Sequence, residues 1–342
     1  MTETFKAFRV THDEDTLSAD FTKLTLDDLS EGDVTIRVHY SSINYKDVLA
    51  TKSNNKIIRN YPIVPGIDLA GVVMASDHPS FKEGDKVIAT GYDLGVNHDG
   101  GFSEVARVKG DWLVHLPEDL TLEEAMIIGT AGFTAAISIQ LLEDNKITST
   151  NGPVLVRGAT GGVGVMSVMM LNAIGYKVIA SSGQTEHHAQ LKALGARTVI
   201  PRIDEVTDKA LASTEWQAAI DPVGGETLTE VLKRIQRHGA VAVSGNLSGA
   251  EFTSTVYPFI LRGIRLLGAD SVAFPMQRRQ HLWRRLSKDL KPAKLHDIKT
   301  VVPFSELKTY LAKAEKHDIC VDTSANQSCN SDTKPSFITY SL

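Results

Sequence analysis

The sequence predicts an α/β protein in which a β-rich part precedes a doubly wound parallel sheet. Three observations carry that prediction. Val34, Ile36, Val38 and Tyr40 alternate with polar neighbours, the period of a half-buried strand. An apolar strand, a glycine-rich loop and a helix follow one another from Val154 onward. Strand-period and helix-period segments then alternate as far as Gly245, the pattern of βαβ units with right-handed crossovers.

Composition narrows the classes. A chain of 342 residues is long enough for two domains with cores of their own. At 42% hydrophobic and 23% charged residues it falls outside the disordered and fibrous classes. A net charge of −5 provides no basic field for nucleic acid or an anionic membrane. No apolar run reads as long enough to span a membrane, and residues 1–10 lack the apolar core of a signal peptide, so a cytoplasmic location is expected. The two cysteines, Cys320 and Cys329, exclude a disulfide framework and a four-cysteine zinc site. None of the eleven histidines falls in an H-E-x-x-H pattern, so no metal is expected.

The elements follow in order. "DVTIRVHYSSIN", "IVPGIDLAGVVMAS", "GDKVIATG" and "GGFSEVARVKGDWLVHLP" read as short strands between Gly, Pro and Asp turns, spaced as in a small barrel or sandwich. Thr121 and Glu124 have capping-box spacing and open a long apolar helix that reaches Asn145. Strand "VLVRG", helix "VGVMSVMMLNAIG", strand "YKVIASS", helix "EHHAQLKALG" and strand "ARTVIP" come next. Strand "QAAIDPVG", helix "TLTEVLKRIQRHG" and strand "AVAVSG" complete the alternation. Residues 259–272 give one more strand, at a sheet edge, and "RRQHLWRRLSKDL" an amphipathic helix. On that helix Arg278, Arg279, Arg284 and Arg285 read as a solvated face. "IKTVVPFSELKTYLAKAEK" supplies a strand and a helix, and the polar stretch 320–342, lacking periodicity, is expected to form no regular structure.

The glycine loop carries the chemistry. The offsets of G-x-G-x-x-G fall on Ala159, Gly161 and Gly164. Gly161 and Gly162 leave no side chain in the way of a pyrophosphate, and the amides from Gly162 to Val165 open a helix whose dipole favours anions. Gly164 lets that helix approach the strand, and Ala159 fills its turn position if φ stays negative. Where an acid would hold the ribose of NAD, the chain reads Ser181-Ser182-Gly183-Gln184. Small polar residues leave room for a 2′-phosphate, with Ser182, Gly183, Gln184 and Arg202 as donors. NADPH is therefore expected in preference to NADH.

"SSINYKD" (residues 41–47), "PGIDLAG" (65–71), "MIIGTAGFTA" (126–135), "GATGGVG" (158–164) and "YPFILRG" (257–263) together resemble the YhdH/YhfP, or AcuI-type, branch of the medium-chain dehydrogenase/reductase superfamily. The resemblance covers residues 5–316. It implies a GroES-like catalytic domain from residues 1–124 and 271–318 and a Rossmann domain over 125–270; residues 319–342 are expected to form an irregular tail. It also implies an NADPH-dependent, quinone oxidoreductase-like enzyme of the kind that includes acryloyl-CoA reductases. Zinc-dependent relatives place a cysteine ligand where this chain has Asn44-Tyr45, and Gly-His-Glu where it has Gly66-Ile67-Asp68, so a zinc-free reaction is implied. The implied cofactor shell is Tyr45, Thr160, Gly161, Gly162, Val163, Ser182, Gly183, Gln184, Arg202, Leu247, Leu261 and Ser271. One departure stands out. The family closes on a Gly-Arg pair and a Val-rich strand, here replaced by the polar tail, which is expected to leave a sheet edge uncovered.

A zinc-free nicotinamide site suits hydride addition to the C=C bond of an α,β-unsaturated acyl-CoA. Tyr45 reads as the group that orients the nicotinamide or assists protonation, or else as a packed aromatic with a satisfied hydroxyl. Lys46 and Asp47 read as an ordering ion pair, and Asn44 as a bridge to the cofactor ribose or a turn cap. His98 reads as structural. A quinone acceptor at the same site and a non-catalytic NADPH-binding protein are the alternatives. The edge strand at residues 265–270 suggests a homodimer.

Overall fold

The computed structural model describes residues 3–13, 16–52, 57–315 and 336–340. The chain opens on a hairpin, β1 (Phe5–Asp13) and β2 (Thr16–Leu24), which forms a two-stranded sheet. In β3 (Val34–Ser42) the predicted alternation buries Val34, Ile36 and Val38, then stops at two consecutive buried serines, Ser41 and Ser42. Helix α1 (Tyr45–Ala50), β4 (Asp68–Ser76), β5 (Lys86–Thr90), β6 (Val105–Val108) and β7 (Leu113–His115) follow. Helix α2 (Leu122–Asp144) begins with the predicted capping box: Thr121 N–H donates to Glu124 at 2.9 Å, and Glu124 N–H to Thr121 Oγ1 at 3.1 Å.

The alternating part comprises β8 (Pro153–Val156), α3 (Gly162–Ala173), β9 (Lys177–Ser181), α4 (His188–Ala193), β10 (Thr198–Ile200) and β11 (Trp216–Asp221). It continues with α5 (Leu228–Arg234), β12 (Ile235–Val243), α6 (Tyr257–Arg262) and β13 (Arg265–Gly268). These six strands form a parallel sheet of order β10-β9-β8-β11-β12-β13, with β13 at the predicted edge. After α7 (Met276–Leu286) come β14 (Lys299–Pro303), α8 (Leu307–Glu315) and β15 (Ser336–Tyr340). The remaining strands make a seven-stranded sheet of order β14-β15-β3-β4-β5-β7, with β6 also on β3.

The described residues divide into two compact units. The first takes Met1–Thr130, Val272–His281 and the described residues from Leu295 onward; the second takes Ala131–Ser271 and Leu282–Lys294. Leu282–Lys294 thus falls with the parallel sheet, whereas the implied return to the catalytic domain ran over 271–318. In the first unit Val34, Ile36, Leu69, Val73 and Val87 pack into one core cluster. In the second, Leu155, Trp216, Ala219, Val231, Leu232 and Val241 fill the layer against the sheet. Each buried Val, Ile or Leu among them contributes about 1.5–3 kcal/mol.

Four expectations are corrected. Ser336–Tyr340 is not irregular: it pairs antiparallel with β14, from Lys299↔Tyr340 to Pro303↔Ser336, and parallel with β3, from Ser336↔Tyr40 to Ile338↔Ser42. The strand whose loss was expected to uncover an edge is present, built from "SFITY"; residues 316–335 lie outside the described residues. Within 259–272 only Arg265–Gly268 is strand, because residues up to Arg262 belong to α6, which ends at Gly263 in the left-handed region. Helix Leu122–Asp144 is long and apolar enough to cross a membrane by composition, yet 83% of its most apolar window is buried inside the protein, as in a core helix. On α7, Arg278 and Arg284 are exposed, but Arg279 is fully buried, donating to Thr90 and Val272, and Arg285 is mostly covered and pairs with Glu143 and Asp289.

Candidate cofactor and active sites

In the second unit the turn after β8 places its positive φ on Gly158 (+54°), so Ala159 needs none and is buried with its N–H on Ser181 at 3.2 Å. The first hydrogen bond within α3 runs from Val165 N–H to Gly161 at 2.8 Å. The amides of Gly162, Val163 and Gly164 precede it and have no acceptor inside the helix. Gly164 is required for close approach: a Cβ there would stand 2.1 Å from the Gly158 carbonyl oxygen. Thr160, Gly162 and Val163 are half-buried and Gly161 is exposed, so the helix N-terminus faces open space. This fits the pyrophosphate of a dinucleotide.

Directly beneath the loop lies a buried ion pair that sequence reasoning missed. Arg157 Nη1 donates to Asp221 Oδ2 at 2.5 Å, with side chains 2% and 0% exposed. Its Nη2 donates to Thr227 at 2.6 Å, while Asp221 Oδ1 accepts the N–H groups of Val223 and Gly224, both at 2.8 Å. The pair joins the ends of β8 and β11 and fixes the turns that follow both. The available signal was a single charge at the end of each of two apolar strands, "VLVR" and "QAAID".

At the end of β9, Ser182 is buried and its Oγ accepts the Gln184 N–H at 3.1 Å. Gly183 and Gln184 are exposed. Arg202 lies over Gly183, where a Cβ would stand 3.7 Å from Arg202 Cβ. No carboxylate follows β9 directly, but Asp204 reaches Arg202 from beyond β10, accepting from Nε at 2.6 Å. Leu247, 68% exposed, sits in the turn after β12, which is tied to the β11 turn by Ser248 N–H on Val223 at 2.8 Å. Leu261 is half-exposed on α6, and Ser271 half-buried beyond β13.

In the first unit Tyr45 is the first residue of α1 rather than a strand-end residue, and Asn44 is its N-cap. Tyr45 is 58% exposed and makes no hydrogen bond among the described residues, which removes the packed-aromatic reading. Lys46 is exposed and forms no ion pair among the described residues. Asp47 turns away from it into the interior, accepting the N–H of Asn44 at 2.8 Å and of Ile67 at 3.0 Å. The expected Lys46–Asp47 pair is absent because buried backbone amides claim the carboxylate.

A second buried carboxylate completes the arrangement. Asp68 Oδ2 accepts from Ser42 Oγ, from Asn44 Nδ2 at 2.9 Å and from Thr130 N–H at 2.8 Å, while Oδ1 accepts Thr130 Oγ1 at 2.5 Å. Thr130 donates its amide to Asp68 because Gly129, at φ 49°, ψ −161°, interrupts α2 and starts a new helical turn there. A Cβ on Gly129 would stand 2.7 Å from Ser42 Oγ and 3.1 Å from Asp68 Oδ2. "SSINYKD", "PGIDLAG" and "GTAG" thus converge on one carboxylate, and an Asp inside an otherwise apolar strand was the sequence signal for it. His98 serves its loop: it is buried, with ring nitrogens 2.9 Å from the carbonyl oxygens of Asp99 and Glu31.

Burial pushes Asp68 above the usual carboxylate range, against the pull of its Ser42, Thr130 and Asn44 donors. Burial pushes Asp47 up to about 7; the Asn44 amide opposes this and the Asp68 charge adds to it. The consequence for stability has a definite sign. Between the ordinary carboxylate range and about 7, the folded chain keeps a proton on Asp47 that the unfolded chain has released. Stability of the first unit is therefore expected to fall as pH rises from 5 to 6.5, by about 1 kcal/mol per pH unit. Urea unfolding across that range measures it, and Asp47→Asn should flatten the slope; an equal slope in the variant would assign it elsewhere.

The sequence matches two family models, the alcohol dehydrogenase GroES-like domain over residues 30–118 and the zinc-binding dehydrogenase over residues 162–289. Acrylyl-CoA reductase AcuI of Ruegeria pomeroyi is 43% identical over 307 residues, 89% of this chain and 93% of that protein. The crystal structure of Bacillus subtilis protein yhfP with NAD bound superposes with a TM-score of 0.91 at 50% identity, covering 93% of this chain and 98% of that one. The yhdH oxidoreductase of Salmonella enterica in complex with NADP gives 0.89 at 40% identity, over 97% and 98%. A GroES-like domain joined to a parallel-sheet Rossmann domain defines a dehydrogenase/reductase class. The chain belongs to the medium-chain dehydrogenase/reductase superfamily, in its YhdH/AcuI branch.

The matching family description includes zinc, and the residues do not fit one. Asn44, Tyr45 and Ile67 offer neither thiolate nor imidazole at the ligand positions. Among the described residues no group of three or more His, Cys, Asp or Glu side chains is placed to hold a metal.

Proposed function

We propose that this chain is an NADPH-dependent reductase that transfers hydride to the C=C bond of an α,β-unsaturated acyl-CoA of the acryloyl-CoA type. The supporting observation is the end of β9, where Gly183, between Ser182 and Gln184, lies against Arg202 with no carboxylate directly after the strand. AcuI, with its acrylyl-CoA reductase activity, and the NADP complex of yhdH point the same way.

NADPH, when bound, supplies the hydride. The amides of the Thr160–Val163 loop hold its pyrophosphate, and Ser182, Gly183, Gln184 and Arg202 hold the 2′-phosphate. Leu247, Leu261, Ser271 and Tyr45 complete the cofactor shell. Tyr45, exposed and without a hydrogen-bond partner among the described residues, orients the nicotinamide or donates the proton at Cα. Asn44 and Asp47 position it, and Lys46 presents beside it a positive charge with no ion-pair partner among the described residues. We infer a homodimer, which the outer position of β13 in its sheet supports, working in the cytoplasm on small molecules without nucleic acid or membrane.

The test is NADPH oxidation with acryloyl-CoA, crotonyl-CoA and a naphthoquinone. Turnover of the thioesters well above the quinone supports the proposal; quinone turnover alone reassigns the acceptor, and no oxidation at all leaves only a binding role. Tyr45→Phe should keep the melting temperature and lower enoyl-thioester reduction roughly ten- to a hundredfold. Wild-type rates in that variant would leave solvent as the proton source.

A further inference from the structure

The acid missing directly after β9 is supplied from the loop beyond β10. Arg202 Nε donates to Asp204 Oδ1 at 2.6 Å, with side chains 68% and 61% exposed. The same arginine lies against Gly183, where a Cβ would stand 3.7 Å from Arg202 Cβ and 3.9 Å from Nε. One face therefore carries a guanidinium suited to a 2′-phosphate and a carboxylate already bonded to it.

We propose that Asp204 is a specificity-determining residue of the cofactor site, which competes with the adenosine 2′-phosphate for Arg202 and keeps NADH usable. This rests on reading the face as the seat of the cofactor's adenosine end. A solvent-exposed ion pair is weak, so a phosphate carrying up to two charges draws the guanidinium away from Asp204. The displaced carboxylate then remains beside the phosphate and repels it. A 2′-hydroxyl creates no such conflict, because a carboxylate accepts its hydrogen directly. Asp204 thus weakens NADPH binding while leaving NADH binding unharmed, and it sets how far the site discriminates.

The experiment titrates the intact protein and its Asp204→Asn and Arg202→Ala variants with NADPH, NADH, 2′,5′-ADP and 5′-AMP. Both side chains are mostly exposed, so the variants keep the fold. Asp204→Asn should tighten NADPH and 2′,5′-ADP roughly three- to tenfold and leave NADH and 5′-AMP unchanged or slightly weaker. The gain should shrink at high salt, where exposed charges are screened. Arg202→Ala should weaken NADPH and 2′,5′-ADP selectively, by roughly tenfold or more. An unchanged NADPH-to-NADH ratio in Asp204→Asn, with Arg202→Ala still selective, overturns the role of Asp204 alone. Equal losses for both cofactors in Arg202→Ala, or no nucleotide binding by the wild type, overturns the reading of the face and this proposal with it.

Discussion

Asp221→Asn is expected to destabilise the parallel-sheet unit by about 3–5 kcal/mol, because it leaves Arg157 charged and without a counter-ion in the interior. With side chains 2% and 0% exposed, no solvent is available to take over the solvation of the guanidinium. At about 2–4 °C per kcal/mol for a unit of this size, the melting temperature should drop by about 10 °C. The pair need not be a net source of stability, since desolvating both ions costs free energy too. The double variant Arg157→Met with Asp221→Asn discriminates. The introduced asparagine keeps an oxygen for the amides of Val223 and Gly224, and the introduced methionine asks for no partner, so more than half of the lost stability should return. Calorimetry of the three proteins decides the matter. A single-variant loss under about 1 kcal/mol would mean that the pair is not buried in solution.

The same pair shows what the sequence discloses and what it withholds. Periodicity located β8, β9, β10 and β11 because each is a short apolar run bounded by glycine or proline, a local property. The partner of a lone charge at a strand end is not local: Arg157 and Asp221 lie 64 residues apart, and Asp68 meets Thr130 across 62. Boundaries failed where one element runs into the next. "TLTEVLKRIQRHG" reads as one helix, yet the helix stops at Arg234 and the strand starts at Ile235. The pairing of β12 with β11 jumps from Trp216↔Ile235 to Ala218↔Ala240, so "QRHG" is a bulge, with His238 at φ 62°. The tail misled differently. "SFITY" has the aromatic and β-branched composition of a strand, but the long polar run before it set the compositional reading of the whole segment.

Asp68→Ala is expected to have the largest effect on turnover among buried positions, lowering kcat/KM on the order of a hundredfold although Asp68 is enclosed beneath the site. The carboxylate holds Asn44 by its side chain, and Asn44 starts the turn that presents Tyr45. A displacement of about 1 Å at a reacting group is enough for such a loss. Stability should fall as well, by about 2–4 kcal/mol. Ser42, Asn44 and Thr130 lose their acceptor, at about 1–3 kcal/mol each, against the relief of no longer burying a carboxylate. A loss of folding alone would not establish a positioning role, so the conservative variant is the informative one. In Asp68→Asn the amide oxygen can occupy the Oδ2 position and accept from Ser42, Asn44 and the Thr130 amide. Thr130 Oγ1, which donates to Oδ1 in the native protein, rotates to accept from the new amide nitrogen. Asp68→Asn should therefore recover most of the rate, with the residual loss in kcat rather than KM, and Asn44→Ala should reproduce the loss seen for Asp68→Ala. If Asp68→Ala folds and turns over at the wild-type rate, the carboxylate only closes the interior, and the placement of Tyr45 has another cause.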